Sequence, residues 1–269
     1  MYDGEWLRSP LGWRALRCLN LKVICFSRTL HQTIQRYGIT SFHAQYFPEP
    51  SEQVVNYGKP RVFFWQRINE INWPLVKQLL AGNEVEQVVL RDDPDPTHIF
   101  VEPEPNEVGI EIVRNLTVAA GTPQEDYLRL LSSCNVFIAP RLREGIGLSF
   151  LEAMARGMCV VGADLPTMNE YIFNGENGLL FDPERATSVD LTAFAECGRR
   201  ARARVADGWQ QWQASLPAML QFIAEPTTRQ RSYGSKILLL LWDAARHVRL
   251  RIEKVFPKLF APTTVAVKR

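Results

Sequence analysis

Histidine and cysteine are scarce in this 269-residue chain, and neither is arranged to hold a metal. The four histidines, His31, His43, His98 and His247, show no ligand spacing, so each reads as structural or exposed. The five cysteines, Cys18, Cys25, Cys134, Cys159 and Cys197, are odd in number and widely spread, with no Cys-x-x-Cys pair. Cys134 and Cys159 fall in or beside apolar segments, where a reduced thiol behaves as a small hydrophobe; a cytosolic compartment fits this usage. An excess of charge is absent too. Lys and Arg total 31 against 29 acids, a net +2 that gives no reason to expect nucleic acid as a partner. The N-terminus has no apolar signal core, and the longest apolar run, Ile237 to Trp242, is too short to cross a bilayer. No internal repeat or low-complexity stretch is evident. What remains is an ordinary globular composition, 46% apolar, long enough for one large domain or two modest ones.

One segment carries recognisable chemistry. Glu144-Gly145-Ile146-Gly147-Leu148-Ser149-Phe150-Leu151-Glu152 sets two carboxylates eight positions apart with two glycines between them. It follows the strand-like Val136-Phe137-Ile138-Ala139-Pro140 and opens a helix that ends near Arg156-Gly157. A strand, a glycine-bearing turn and a helix N-terminus together make a site where backbone N–H groups and the helix dipole hold a phosphate. Helical side chains lean toward the N-terminus, so Glu152 can reach back toward the turn. A carboxylate there would repel phosphate but accept hydrogen bonds from sugar hydroxyls. Glu144 would approach the same ligand from the other side, and Gly145 and Gly147 let the main chain come close. The pattern therefore suggests a nucleotide derivative as ligand.

Elsewhere strand and helix signals alternate. Residues 1–57 hold one convincing strand, Leu21 to Phe26, and a helix from Thr29 to Tyr37 ended by Gly38. The Pro-rich crossing from Tyr46 to Ser51 suits an interdomain linker. From Pro60 come a strand at Val62 to Trp65, a helix around Trp73 to Ala81, and strands at Val85 to Leu90, Glu111 to Val113 and Val136 to Ala139. Thr122 and Glu125 form a capping box with Pro123 at the first helical position. Such alternation predicts an α/β fold with a Rossmann-like, doubly wound parallel sheet. Asp92, Asp93 and Asp95 alternate with prolines and read as a turn-rich loop in preference to a cation site. Past Pro183 two helices are expected, Ser188 to Val205 and Trp209 to Ile223, with Arg199, Arg200, Arg202 and Arg204 on a solvated face. A last helix, Ser235 to Phe256, puts Ile237, Leu241, Ala245, Val248, Ile252 and Val255 on one stripe, with Lys236, Arg246, Arg249, Arg251 and Lys254 around it. Such a helix suits either an anionic membrane surface or ordinary packing on protein.

The stretch from Leu128 to Pro183 resembles the donor-sugar half of a retaining GT-B glycosyltransferase, of the glycosyltransferase group 1 / family 4 type found in polysaccharide and lipopolysaccharide synthesis. The likeness is carried by ordered blocks: Tyr127 to Leu131 leading to Asn135 to Pro140, then Glu144 to Gly157, Cys159 to Gly162, Asn169 to Ile172, and Asn174 to Phe181. In that family the first acid of the pair touches the donor sugar and the second binds the ribose. The resemblance thus implies those roles for Glu144 and Glu152, with Gly145, Ile146, Gly147 and Leu148 lining the donor. Upstream, Arg61 to Arg67 is similar to the family's first donor-domain strand, whose end carries a basic residue for the diphosphate, here Arg67. The family usually adds a lysine a few residues later; no lysine occurs here until Lys77, which weakens the clamp.

The resemblance implies transfer of a hexose from a nucleotide-diphosphate sugar to an acceptor hydroxyl with retention, Glu144 and Arg67 being the catalytic residues. No metal and no cofactor are expected. The acceptor would be a saccharide or lipid-linked molecule, and the site cytoplasmic or at the inner face of the membrane, with residues 235–256 as the peripheral contact. Residues 1–57 are expected to be a remnant of a truncated N-terminal acceptor-side domain and linker, 58–205 the donor domain, and 206–269 C-terminal helices. The competing expectation is a non-catalytic nucleotide-sugar-binding remnant without the acceptor domain. Dinucleotide binding is disfavoured, since no Gly-x-Gly-x-x-Gly follows an early strand.

Overall fold

A computed structural model of the chain describes residues 10–107, 109–114, 123–227 and 233–255. Two compact units emerge, one drawn from Met1–Ala44 and Leu216–Arg269, the other Gln45–Ser215.

The larger unit is built on a six-stranded sheet: β3 (Arg61–Gln66), β4 (Gln87–Asp92), β5 (Ile110–Arg114), β6 (Val136–Ile138), β7 (Cys159–Ala163) and β8 (Leu179–Phe181). Every neighbouring pair is parallel, in the order β5-β4-β3-β6-β7-β8. Parallel strands need covering on both faces, which explains why β6 and β7 are continuous apolar runs with every residue buried. The period of two along β3 divides its side chains. Val62 and Phe64 enter a core with Ile71, Val76 and Leu79; Phe63 enters a second core with Phe137, Phe150 and Met154. Helix α3 (Trp73–Leu80) is capped by the Asn72 side chain, which accepts from the Leu75 N–H at 3.2 Å. Helix α4 (Pro123–Ser133) starts at the expected proline, while Thr122 of the expected capping box lies outside the described residues.

This topology has one consequence for function. The unit's sheet starts in the middle at β3, winds outward to β5, then crosses back to β6 and winds the other way. The reversal opens a crevice at the carboxyl ends of β3 and β6, the place where open α/β sheets bind ligands. The α/β Rossmann-like architecture expected from the sequence is therefore the observed one.

Several boundaries differ from expectation. The strand expected at Val85 to Leu90 runs Gln87–Asp92, in register with β3. Residues 188–205 and 209–223 were expected as two helices; a single helix α6 (Phe194–Ala224) takes their place. Gly208, between the two expected helices, is buried, and a Cβ there would meet the Phe47 ring at 2.4 Å. It permits close packing instead of ending a helix. Phe47 and Val55 are core residues of the larger unit, so that unit takes in the stretch 45–57 and extends to 215, where the sequence suggested 58–205.

The smaller unit contains the parallel pair β1 (Lys22–Cys25) and β2 (Thr40–His43) with helices α1 (Pro10–Cys18), α2 (Arg28–Arg36) and α7 (Tyr233–Val255). Its core holds Trp13, Leu16, Cys25, Ile34 and Ile39. The Ser27 hydroxyl caps α2 by accepting from the Leu30 N–H at 3.2 Å. Helix α7 leaves its expected apolar stripe exposed, with Ile237, Leu241, Val248 and Ile252 all open to solvent. No helix among the described residues is long and apolar enough to cross a membrane.

Candidate functional site

The loop after β6 leads into helix α5 (Leu148–Ala155), whose N-cap is Gly147 at φ 77°, ψ 49°. Two pressures demand glycine at that position: the left-handed backbone, and the Phe150 ring, whose Cε1 would lie 1.9 Å from a Cβ. Gly145 is different. A Cβ there would meet nothing within 4 Å, so this position borders open space. The cap contributes no side-chain acceptor to the first turn of α5. The leading N–H groups and the positive end of the helix dipole are left for another partner. The helix is held from beneath by buried Phe150, Leu151, Ala153 and Met154. Before it, the Glu144 carbonyl accepts from the Thr167 hydroxyl at 2.6 Å, which ties the loop to the segment after β7.

Glu152 lies one turn along α5 and is half-buried. Among the described residues its carboxylate has no hydrogen-bond partner, and burial raises its pKa above the ordinary value against a smaller opposing effect of Arg156. Two phenols respond to it. Burial, then Glu152, raises the pKa of Tyr46, and the same two causes raise that of Tyr127. The Tyr127 hydroxyl is itself buried without a hydrogen-bond partner among the described residues. Orphaned polar groups of this kind cost stability, about 1–3 kcal/mol each, and are concentrated where a ligand completes them.

Arg67 follows the carboxyl end of β3 and is engaged by a residue the sequence reading assigned only to a loop. Its Nε and Nη2 both donate to Asp95 Oδ1, at 3.0 and 2.7 Å, and the Asp95 N–H donates to the Arg67 carbonyl at 2.9 Å. The other carboxylate oxygen of Asp95 accepts from Arg141 Nη2. Burial pushes the Asp95 pKa up, but the two guanidiniums outweigh it and hold the group below the ordinary carboxylate value. Trp65 is flanked by the guanidiniums of Arg67 and Arg91, at 4.5 and 3.8 Å from its ring centroid.

The expected residues thus gather around the switch point in different ways. Arg67 joins the β6–α5 loop through Asp95 and Arg141, and Arg67 and Glu152 both act on the Tyr127 hydroxyl. Gly145, Ile146, Gly147 and Leu148 line the approach to α5, Leu148 being exposed. Glu144 is fixed through its main chain. Sequence reasoning did not single out Tyr127, Asp95 or Arg141, which the structure groups with Arg67. The signal for the last two was available only as charged residues just beyond strand ends. Asp93-Pro94-Asp95 does have an Asp-x-Asp spacing, yet Asp93 pairs with Arg91 at 2.6 Å and Asp95 with two arginines. Among the described residues no group of three or more His, Cys, Asp or Glu is placed to hold a metal ion.

A glycine-turned helix start at the reversal of a parallel sheet, with a partnerless carboxylate one turn along it, is the geometry against which known proteins can be compared. Residues 110–198 match the family described as Glycosyl transferases group 1. The matched span includes the β6–α5 loop, α5 and Glu152. The lipopolysaccharide core biosynthesis mannosyltransferase LpsB of Rhizobium meliloti is 36% identical over 99 residues, which are 35% of this chain and 27% of that relative. The chain therefore matches about a quarter of that protein's length. Among solved structures, Anabaena HepE in complex with UDP and glucose superposes with a TM-score of 0.58 at 15% identity, covering 80% of this chain and 70% of that one. The sucrose-phosphate synthase of Thermosynechococcus elongatus gives 0.57 at 16% identity over 82% and 63%. At those identities the superpositions establish the fold.

Proposed function

We propose that the chain binds a nucleotide-diphosphate sugar at the carboxyl end of its sheet and serves transfer of the sugar to an acceptor hydroxyl with retained configuration. The observation that carries this reading is the joint orphaning of the α5 N-terminus and Glu152 beside the β3–β6 switch point. The diphosphate meets the amides that open α5 and Arg67, and Glu152 accepts from the ribose hydroxyls. Glu144 accepts from a hydroxyl of the donor sugar. The match to Glycosyl transferases group 1 supports sugar transfer, and the likeness to a mannosyltransferase of lipopolysaccharide core synthesis supports glycan assembly as its setting. The UDP held by Anabaena HepE supports a nucleotide-linked donor.

Charge movement explains how such a site accelerates the reaction. As the glycosidic bond breaks, negative charge builds on the departing diphosphate. Donors already aimed at it stabilise the transition state more than the bound substrate. In this reading the helix amides and Arg67 supply that stabilisation, and no metal is required. Helix α7 is assigned to an anionic membrane surface, on the strength of its exposed apolar stripe and the exposed Arg251 beside it.

Calorimetric titration with UDP, GDP and ADP tests the donor site. One of them binds the wild type, and Glu152→Ala weakens that binding roughly 10- to 100-fold, the worth of a hydrogen bond to a charged group. Unchanged affinity in a folded Glu152→Ala protein removes the ribose role. Sugar transfer by the purified chain separates a transferase from a module that only binds donor.

A further inference from the structure

We infer that Arg141 is the second cation of the diphosphate site and that Asp95 is the residue positioning it beside Arg67. The inference rests on the donor-site reading above and assigns a role to residues outside the acid pair. The three residues follow the ends of three neighbouring strands. Arg67 closes β3, Asp95 follows β4, and Arg141 follows β6 across the switch point. One carboxylate spans both guanidiniums: Oδ1 takes Nε and Nη2 of Arg67, and Oδ2 takes Nη2 of Arg141. Two positive charges are thereby held together against their own repulsion, with a net charge of one left over.

Neither arginine is exhausted by this arrangement. A guanidinium has five N–H donors. Asp95 occupies two on Arg67 and one on Arg141, and Arg141 Nε is buried with no partner among the described residues. Arg141 lies in the loop that six residues later turns at Gly147 into α5, and Arg67 is joined to that loop through Asp95. Arg67 is further pinned by stacking over Trp65. The first lysine downstream of Arg67, Lys77, is bound to Glu107, and Arg91 is paired with Asp93, whereas Arg141 shares the Asp95 carboxylate with Arg67. A diphosphate carries more charge than one arginine balances, and two forks on adjacent strands match its two phosphates.

The test compares a nucleoside diphosphate with its parent nucleoside, taking whichever of UDP, GDP or ADP the wild type binds most tightly. Arg141→Gln is expected to weaken the diphosphate roughly 10- to 100-fold and leave the nucleoside unchanged, because only the diphosphate meets the clamp. Arg141→Lys keeps the charge but loses the fork, so it is expected to fall between the two and serves if the glutamine variant folds poorly. Asp95→Asn, although it adds a net positive charge, is expected to weaken the diphosphate as the guanidiniums separate. Three results overturn the inference: wild-type diphosphate affinity in Arg141→Gln, an equal loss for nucleoside and diphosphate, or tighter diphosphate binding in Asp95→Asn. A wild type that binds no nucleoside diphosphate defeats the donor-site reading itself, a result distinct from a wild type that binds while Arg141→Gln binds equally well.

Discussion

A half-buried carboxylate without a hydrogen-bond donor among the described residues, as at Glu152, resists ionisation, and its raised pKa has burial as the leading cause with Arg156 opposing. Between the ordinary glutamate value of 4.5 and the raised one, the folded chain holds a proton that the unfolded chain has released. Stability therefore falls as pH rises through that window. The cost is fully present above the folded-state pKa and disappears below 4.5. Glu152→Gln is accordingly expected to melt at a higher temperature than wild type at pH 7, with the gap closing as the pH approaches 4.5; a gap independent of pH contradicts this. Asp95 has the opposite sign, since its pKa is depressed and its pairing with Arg67 and Arg141 is lost on acidification. The spacing of Glu144 and Glu152 at a helix start was legible in the sequence because it is a local pattern, while Arg67 was singled out by the family resemblance. Tyr127, Asp95 and Arg141 were not, because each gains its meaning from groups dozens of residues away.

At the level of elements, the β6–α5 turn separates a glycine needed by the fold from one that borders open space. Gly147→Ala places a Cβ inside the Phe150 ring and forces a left-handed alanine. Unfolding in urea is expected to show a loss of about 2–4 kcal/mol from strain and overpacking together. Gly145→Ala meets open space and is expected to cost under about 0.5 kcal/mol. Similar losses for both would mean the turn tolerates neither. Strands β3 and β6 were readable because a sheet covered on both faces leaves unbroken apolar runs. Helix α6 was expected as two helices, whereas Gly208 between them lets Phe47 approach a continuous one.

For the molecule as a whole, the proposed donor residues fall within Gln45–Ser215, while the exposed stripe of α7 belongs to the other unit. Flotation with vesicles containing phosphatidylserine is expected to carry the chain upward, and Leu241→Asp with Val248→Asp to abolish this without changing nucleotide affinity. Equal flotation of wild type and variant would assign the stripe to packing on protein. The sequence by itself determined the alternation of strands and helices, the glycine turn and the acid pair, since each depends on neighbours within a few positions along the chain. Only the tertiary structure decided that β3 and β6 lie side by side, and so that Arg67, Asp95 and Arg141 meet. Strand order is set by packing between distant segments. A charge placed at the carboxyl edge of a sheet finds its partner through that order, which no local pattern of residues encodes.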